Sequence, residues 1–277
     1  PHLLAMTATP IPRTMAITYH GDMDLSIIDE IPKNRKKIIT KIVNDKRLIK
    51  VYTFMKEEIA AGRQCIIVFP LVEETKKSDL AAATEGYEKL KQLFNNVSLG
   101  LIHGKMKNSD KERIMENFEN NNINILVSTT VIEVGIDVPN ASVILIENSE
   151  RFGLTQLHQL RGRVGRGEAK SYCILVERNV STNSKKRLEI MENTSNGFII
   201  ADEDLKMRGP GKFFSTEQSG YFNYKLADMI NDGAIIRKAR VCAQKIINDD
   251  PKLNNHLLMK DRLINDYSQY FDTINIT

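Results

Sequence analysis

Three arginines stand within six residues, Arg161, Arg163 and Arg166, with Gly162 and Gly165 among them. A guanidinium is planar, permanently charged and forked, so it matches the oxygens of a phosphate. Glycine lets the backbone turn sharply or come close to a ligand. The run Gln156-Leu157-His158-Gln159-Leu160-Arg161-Gly162-Arg163-Val164-Gly165-Arg166-Gly167 therefore reads as a phosphate-gripping loop, or else as a solvated basic one. Its surroundings favour the first. It closes a helical segment, Leu154 to Leu160, and lies downstream of the loop Thr129 to Asp137, which follows an apolar run. Ligands of open α/β sheets sit off the carboxyl ends of strands, and both loops are expected there.

The elements that must position these loops alternate in type. Ile66–Phe69, Val97–Ile102, Ile125–Val127, Val143–Ile146 and Tyr172–Val176 are short apolar runs bounded by polar or turn residues, the pattern of buried strands. Between them, Leu48, Val51, Tyr52, Met55 and Ile59 recur at helical spacing from Asp45, with Gly62 where a C-cap would fall. Ser78 to Phe94 reads as a helix weakened by Gly86. Ser109 and Glu112 read as a capping box opening a helix with Ile114, Met115 and Phe118 inward. Glu177 to Lys186 reads as a polar loop, and Lys185 to Glu192 as a helix. Gly197 to Gly211 reads as a short helix broken by Gly209-Pro210-Gly211. Strands alternating with helices imply an α/β fold, a parallel sheet flanked by helices.

Composition sets outer bounds. The 277 residues suffice for one large domain plus appendages, and 42% hydrophobic with 27% charged residues describes an ordinary globular chain. A net charge of +4 permits a polyanionic partner without demanding one. Cys65, Cys173 and Cys242 lie far apart in no metal-binding spacing, which argues against a disulfide framework or a metal site and suits a reducing cytoplasm. No apolar run reaches the roughly 18 residues a bilayer span needs, so no membrane partner is expected. The first residue is Pro1, which reads as the start of a piece of something longer.

Thr129 to Pro139 and Gln159 to Arg166 resemble motifs V and VI of superfamily-two nucleic-acid translocases, whose second lobe is RecA-like. Thr7-Ala8-Thr9-Pro10-Ile11-Pro12-Arg13-Thr14 resembles motif III in the longer form typical of the RecG family of branch-migrating DNA helicases and of transcription-repair coupling factors. Gly197 to Gly220, with Arg208-Gly209-Pro210-Gly211 and Thr216-Glu217-Gln218-Ser219-Gly220, resembles the helical hairpin and loop with which both groups drive duplex translocation. The proline of Arg-Gly-Pro-Gly favours RecG. Lys212 and Ser215 depart from the RecG pattern, which usually has glutamate and glycine there. The resemblance covers residues 1 to about 250.

It implies 1–32 as the tail of a first helicase lobe, 33–44 as an interlobe linker, 45–194 as the second RecA-like lobe, 195–224 as the translocation hairpin and 225–277 as a C-terminal helical segment. By the same resemblance Arg163 and Arg166 reach the γ-phosphate of ATP, with Gln159 at the cleft. Gly135 and Asp137 face the nucleotide sugar. His103, Gly104, Lys105, Arg113 and Thr129 contact DNA phosphates, and Thr7, Thr9, Arg208 and Gln218 couple nucleotide state to translocation. ATP and Mg²⁺ would be held mainly by the other lobe, because no Gly-x-x-x-x-Gly-Lys-Ser/Thr loop occurs here to cradle phosphates. The chain alone is not expected to hydrolyse ATP. The partner implied is branched double-stranded DNA, and a monomer is expected. Two other readings are a coupling-factor motor that displaces RNA polymerase and a non-enzymatic DNA-binding domain.

Overall fold

The computed structural model describes residues 4, 26, 28, 30, 36–70, 76–129, 138–208 and 232–274. Among these residues six strands form one all-parallel sheet: β1 Ile39–Asn44, β2 Gln64–Val68, β3 Leu99–Ile102, β4 Ile125–Ser128, β5 Ala141–Ile146 and β6 Tyr172–Glu177, in the order β1-β6-β5-β2-β4-β3. The helices are α1 Asp45–Ala60, α2 Lys76–Leu93, α3 Asn108–Glu119, α4 Leu154–Arg161, α5 Thr182–Asn193, α6 Gly197–Arg208, α7 Gly233–Asp249 and α8 Leu257–Ile274. The expected α/β class, a parallel sheet flanked by helices, is what the chain adopts.

The central strands β2, β4 and β5 are buried along their whole length, as continuous apolar runs covered on both faces must be. Met55 of α1 and Leu90 and Phe94 at the end of α2 cover one face, against Cys65, Ile67, Ile125, Val127, Val143 and Leu145. By the period of two, Ile66, Leu126 and Ile144 point to the other face and are equally buried. α1 ends in a Schellman motif: Gly62 takes φ +82°, its N–H reaches the Ile59 carbonyl, and Arg63 N–H reaches that of Glu58. The C-cap glycine expected there is thus at C′.

Three sequence expectations need correction. The stretch 33–44, taken as linker, ends in a strand: β1 pairs along its full length with β6, from Ile39↔Tyr172 to Asn44↔Glu177. α3 is not opened by a box at Ser109; it starts one residue earlier, after Lys107, with no side-chain cap. The polar stretch 177–186 is a loop only as far as Ser181. That residue caps α5, accepting the Ser184 N–H at 3.2 Å while Ser184 Oγ accepts the Ser181 N–H at 2.8 Å.

The described residues divide into two compact units, the second holding Ser26 and those from Leu205 onward. In it, Asp250 closes the turn between α7 and α8, accepting hydrogen bonds from the N–H groups of Asn254 and Asn255 at 2.9 and 2.7 Å.

Candidate functional site

α4 buries Leu154, Leu157, Leu160 and Arg161. The three arginines then part company. Arg161 is 3% exposed and donates from Nη1 to the carbonyls of Met191 and Thr194 at 2.9 and 2.8 Å, and its Nη2 lies 3.0 Å from His158 Nδ1. It pins the C-terminus of α5, and burial pushes its pKa down. Val164 is fully buried and fixes the loop. Arg163, half-buried, and Arg166, exposed, stand on either side of it.

The backbone around those two arginines is fastened at several points. Gly165 turns the chain at φ +79°, where a side chain would be strained, and a Cβ there would stand 2.8 Å from Ile38 Cγ1. Lys36 Nζ donates to the Glu168 carbonyl, and Ile39 N–H to that of Ser171 at 2.9 Å. These anchors lie just before β1 and β6. The arginine loop is therefore at the amino edge of the sheet, contrary to the expectation of the carboxyl edge. Topology dictates this: in an all-parallel sheet each connecting segment must end at the amino side, and this loop leads directly into β6.

The carboxyl edge carries the other candidates. Ile102 and Ser128 are paired, so His103 and Thr129 leave β3 and β4 side by side, with Thr129 N–H on the Ile102 carbonyl at 3.3 Å. Thr129 is fully buried. Among the described residues neither its Oγ1 nor His103 Nδ1 has a hydrogen-bond partner, although both atoms are buried. Such atoms cost free energy unless a ligand satisfies them. Burial, then Lys111 and Lys105, push the His103 pKa down. Lys111 Nζ donates to the Gly104 carbonyl at 3.3 Å. Arg113 is exposed and pairs at 3.5 Å with Asp110 of its own helix.

The predicted residues thus fall into two groups on opposite edges: Arg163 and Arg166 at the amino edge, with half-buried Gln159 on α4, and His103, Gly104, Lys105 and Thr129 at the carboxyl edge. Thr7, Thr9, Gly135, Asp137, Gln218, Lys212 and Ser215 lie outside the described residues, as does the side chain of Arg208, the last residue of α6. Among described residues, no group of three His, Cys, Asp or Glu could hold a metal ion, and no helix is long and apolar enough to cross a membrane.

One polar cluster escaped the sequence. Arg178, just after β6, donates to Glu147 at 2.8 Å and to Asp45, joining the carboxyl ends of β1, β5 and β6. Burial raises the Glu147 pKa and Arg178 opposes that rise. Its only signal was a carboxylate directly following the apolar run Val143 to Ile146.

Residues 44–168 match the family described as helicase conserved C-terminal domain, and residues 194–263 match ATP-dependent DNA helicase RecG, domain 3, C-terminal. The chain is 47% identical over 270 residues to the ATP-dependent DNA helicase RecG of Synechocystis sp., covering 97% of this chain and 32% of that protein. It is 45% identical over 267 residues to the RecG of Bacillus subtilis, covering 95% and 39%. A solved structure of RecG bound to a three-way DNA junction is 46% identical, with a TM-score of 0.67 over 83% of this chain and 30% of that one. The chain spans about a third of the length of these curated relatives.

Proposed function

The chain belongs to the RecG family of ATP-dependent DNA helicases, and from that membership we propose that it supplies the second motor lobe and the translocation element of an enzyme that remodels branched double-stranded DNA. The observation that carries this reading is the division of the sheet into two edges. At one, half-buried Arg163 and exposed Arg166 sit on a fastened loop. At the other, two buried polar atoms await a partner beside Lys105 and Lys111. The RecG-specific match over residues 194–263 favours this reading over a coupling-factor motor.

In this reading the arginine loop fits a triphosphate because Arg163 and Arg166 stand on a rigid backbone, while the phosphate cradle comes from a lobe outside residues 36–274. An arginine supplied from outside the phosphate loop is worth roughly 10³ to 10⁵ in rate where measured in GTPases. Arg163 and Arg166 would offset charge on the γ-phosphate, Gln159 would line the cleft, and Gly135 and Asp137 would face the sugar. ATP with Mg²⁺ supplies the free energy. His103 and Thr129, with the Gly104-Lys105 turn and Arg113, would hold DNA phosphates, which position the duplex without reading its sequence. Thr129 and Pro139 end one motif on opposite edges, so a shift at the DNA edge has a covalent route to the nucleotide edge. Thr7, Thr9, Arg208 and Gln218 would pass that motion to the hairpin at 195–224. A cytoplasmic, monomeric protein accords with this role.

The test is fork-stimulated ATP hydrolysis by a full-length protein carrying this chain, with and without Arg166→Ala. Hydrolysis should be abolished while fork binding persists. Undiminished hydrolysis would sink the assignment of the arginine loop. An unmutated protein that hydrolyses ATP on duplex DNA yet regresses no fork would point to the coupling-factor class. This chain alone should bind DNA in a salt-dependent way and not turn over ATP.

A further inference from the structure

Gly167 follows the last arginine of the loop and packs against the end of the Thr129–Pro139 segment. A Cβ at Gly167 would overlap the Pro139 carbonyl oxygen, with the carbonyl carbon at 3.2 Å and Cα at 3.8 Å. The obstacle is main chain, which cannot swing aside as the tip of a side chain can. Glycine here is not demanded by conformation. The described glycines with positive φ are Gly62 and Gly165, and Gly167 is not among them. The position calls for glycine because two backbones touch.

Pro139 is itself a rigid stop. Its ring fixes φ, and the next residue is tied by its main chain and its side chain to the start of β2. Gln64 N–H donates to the Asn140 carbonyl at 3.1 Å, and Asn140 Nδ2 donates to the Gly62 carbonyl at 2.9 Å. Ala141 N–H closes the turn onto the Val138 carbonyl at 3.1 Å. The arginine loop is thus registered from two sides: Ile38 beneath Gly165, and the Pro139 carbonyl against Gly167.

We infer that Gly167 is a positioning residue: its bare backbone, seated on Pro139, sets how far Arg163 and Arg166 reach. This rests on the proposed role of those arginines. Any side chain at 167 lifts the loop off its stop and displaces Arg166, its immediate neighbour. A misplacement of about 1 Å at a catalytic group can cost on the order of 100-fold in rate.

The experiment measures kcat and KM for fork-stimulated ATP hydrolysis in the full-length protein for Gly167→Ala, Pro139→Gly, Arg166→Ala and Gly100→Ala. A Cβ at Gly100, on the far edge strand β3, would stand 2.8 Å from Ile123 Cδ1, so Gly100→Ala adds crowding remote from the loop and controls for lost stability. Gly167→Ala should lower kcat at least about tenfold with KM within about twofold. Pro139→Gly, which loosens the stop without adding bulk and is expected to fold, should lower kcat in the same sense. Gly100→Ala should leave kcat unchanged. If Arg166→Ala abolishes hydrolysis but Gly167→Ala and Pro139→Gly do not slow it, the inference fails while the arginine assignment stands. If Arg166→Ala has no effect, the arginine assignment fails first.

Discussion

Arg161 offers a direct test of whether three neighbouring arginines do different work. Its guanidinium holds two main-chain carbonyls at the end of α5, at 2.9 and 2.8 Å, and touches His158. Hydrogen bonds from a charged group contribute about 1.5–3 kcal/mol each, and a buried carbonyl left without a donor costs about 1–3 kcal/mol. Against this stands the cost of burying the charge, whose mark is the lowered pKa. Replacing a buried ion by an apolar side chain of similar volume recovers part of that cost. Arg161→Met should therefore destabilise by a net of about 2–4 kcal/mol, which for a unit of this size lowers Tm by roughly 4–16 °C. Arg166→Ala, at an exposed position, should stay within about 0.5 kcal/mol. Thermal unfolding followed by far-UV circular dichroism decides between them. An unchanged Tm for Arg161→Met, or a larger loss for Arg166→Ala, would refute the division of labour.

Two further outcomes follow from groups at the carboxyl edge. The His103 pKa is lowered in the fold, so the unfolded chain takes up its proton first, and this residue's contribution to stability is lost as pH falls below about 6.5. A phosphate at the site reverses the preference, so DNA affinity at fixed salt should rise from pH 8 to pH 6, and His103→Asn should flatten that rise; a variant titrating like the unmutated chain would exclude His103 from the phosphate site. Arg178→Met removes the partner of a Glu147 carboxylate that is only 5% exposed and should cost roughly 1–3 kcal/mol, since Arg178 is itself a third exposed. Without Arg178 the Glu147 pKa rises further, so stability is kept below the ordinary carboxylate range and lost as pH rises; urea midpoints should show a larger deficit at pH 8 than at pH 5, and an equal deficit at both would refute the pairing.

The runs Ile125–Val127 and Val143–Ile146 were legible as strands because buried parallel strands are unbroken apolar runs, and α1 because its apolar stripe meets a glycine stop. β1 was not legible. An edge strand tolerates lysine, and Lys41 beside the run Lys33 to Lys37 made Ile39–Asn44 read as solvated chain. The start of α5 was hidden because Ser181 pairs with a serine, not a glutamate, three residues on. The arginine loop was legible as chemistry but misplaced: a segment that leads directly into a strand of a parallel sheet lies at that strand's amino end, and this loop runs straight into β6 at Tyr172. Arg161 could not be told from Arg163 and Arg166 by type. What marks Arg161 is the end of α5, some thirty positions later, whose carbonyls it holds.

The pairing of β1 with β6 also governs when this lobe can assemble. The Arg178–Asp45 contact across the same strands joins residues 133 positions apart. On a ribosome adding about 5–20 residues per second, β1 must wait roughly 7 to 27 s for its neighbour in the sheet to be made. During that wait β2, β4 and β3 can already pair, since they lie earlier in the chain and next to one another in the sheet. Closure then comes last, with β6 filling the slot between β1 and β5. A chain halted before Tyr172 would therefore leave β1 stranded with an unpaired edge, a target for proteases and for the edges of other nascent chains.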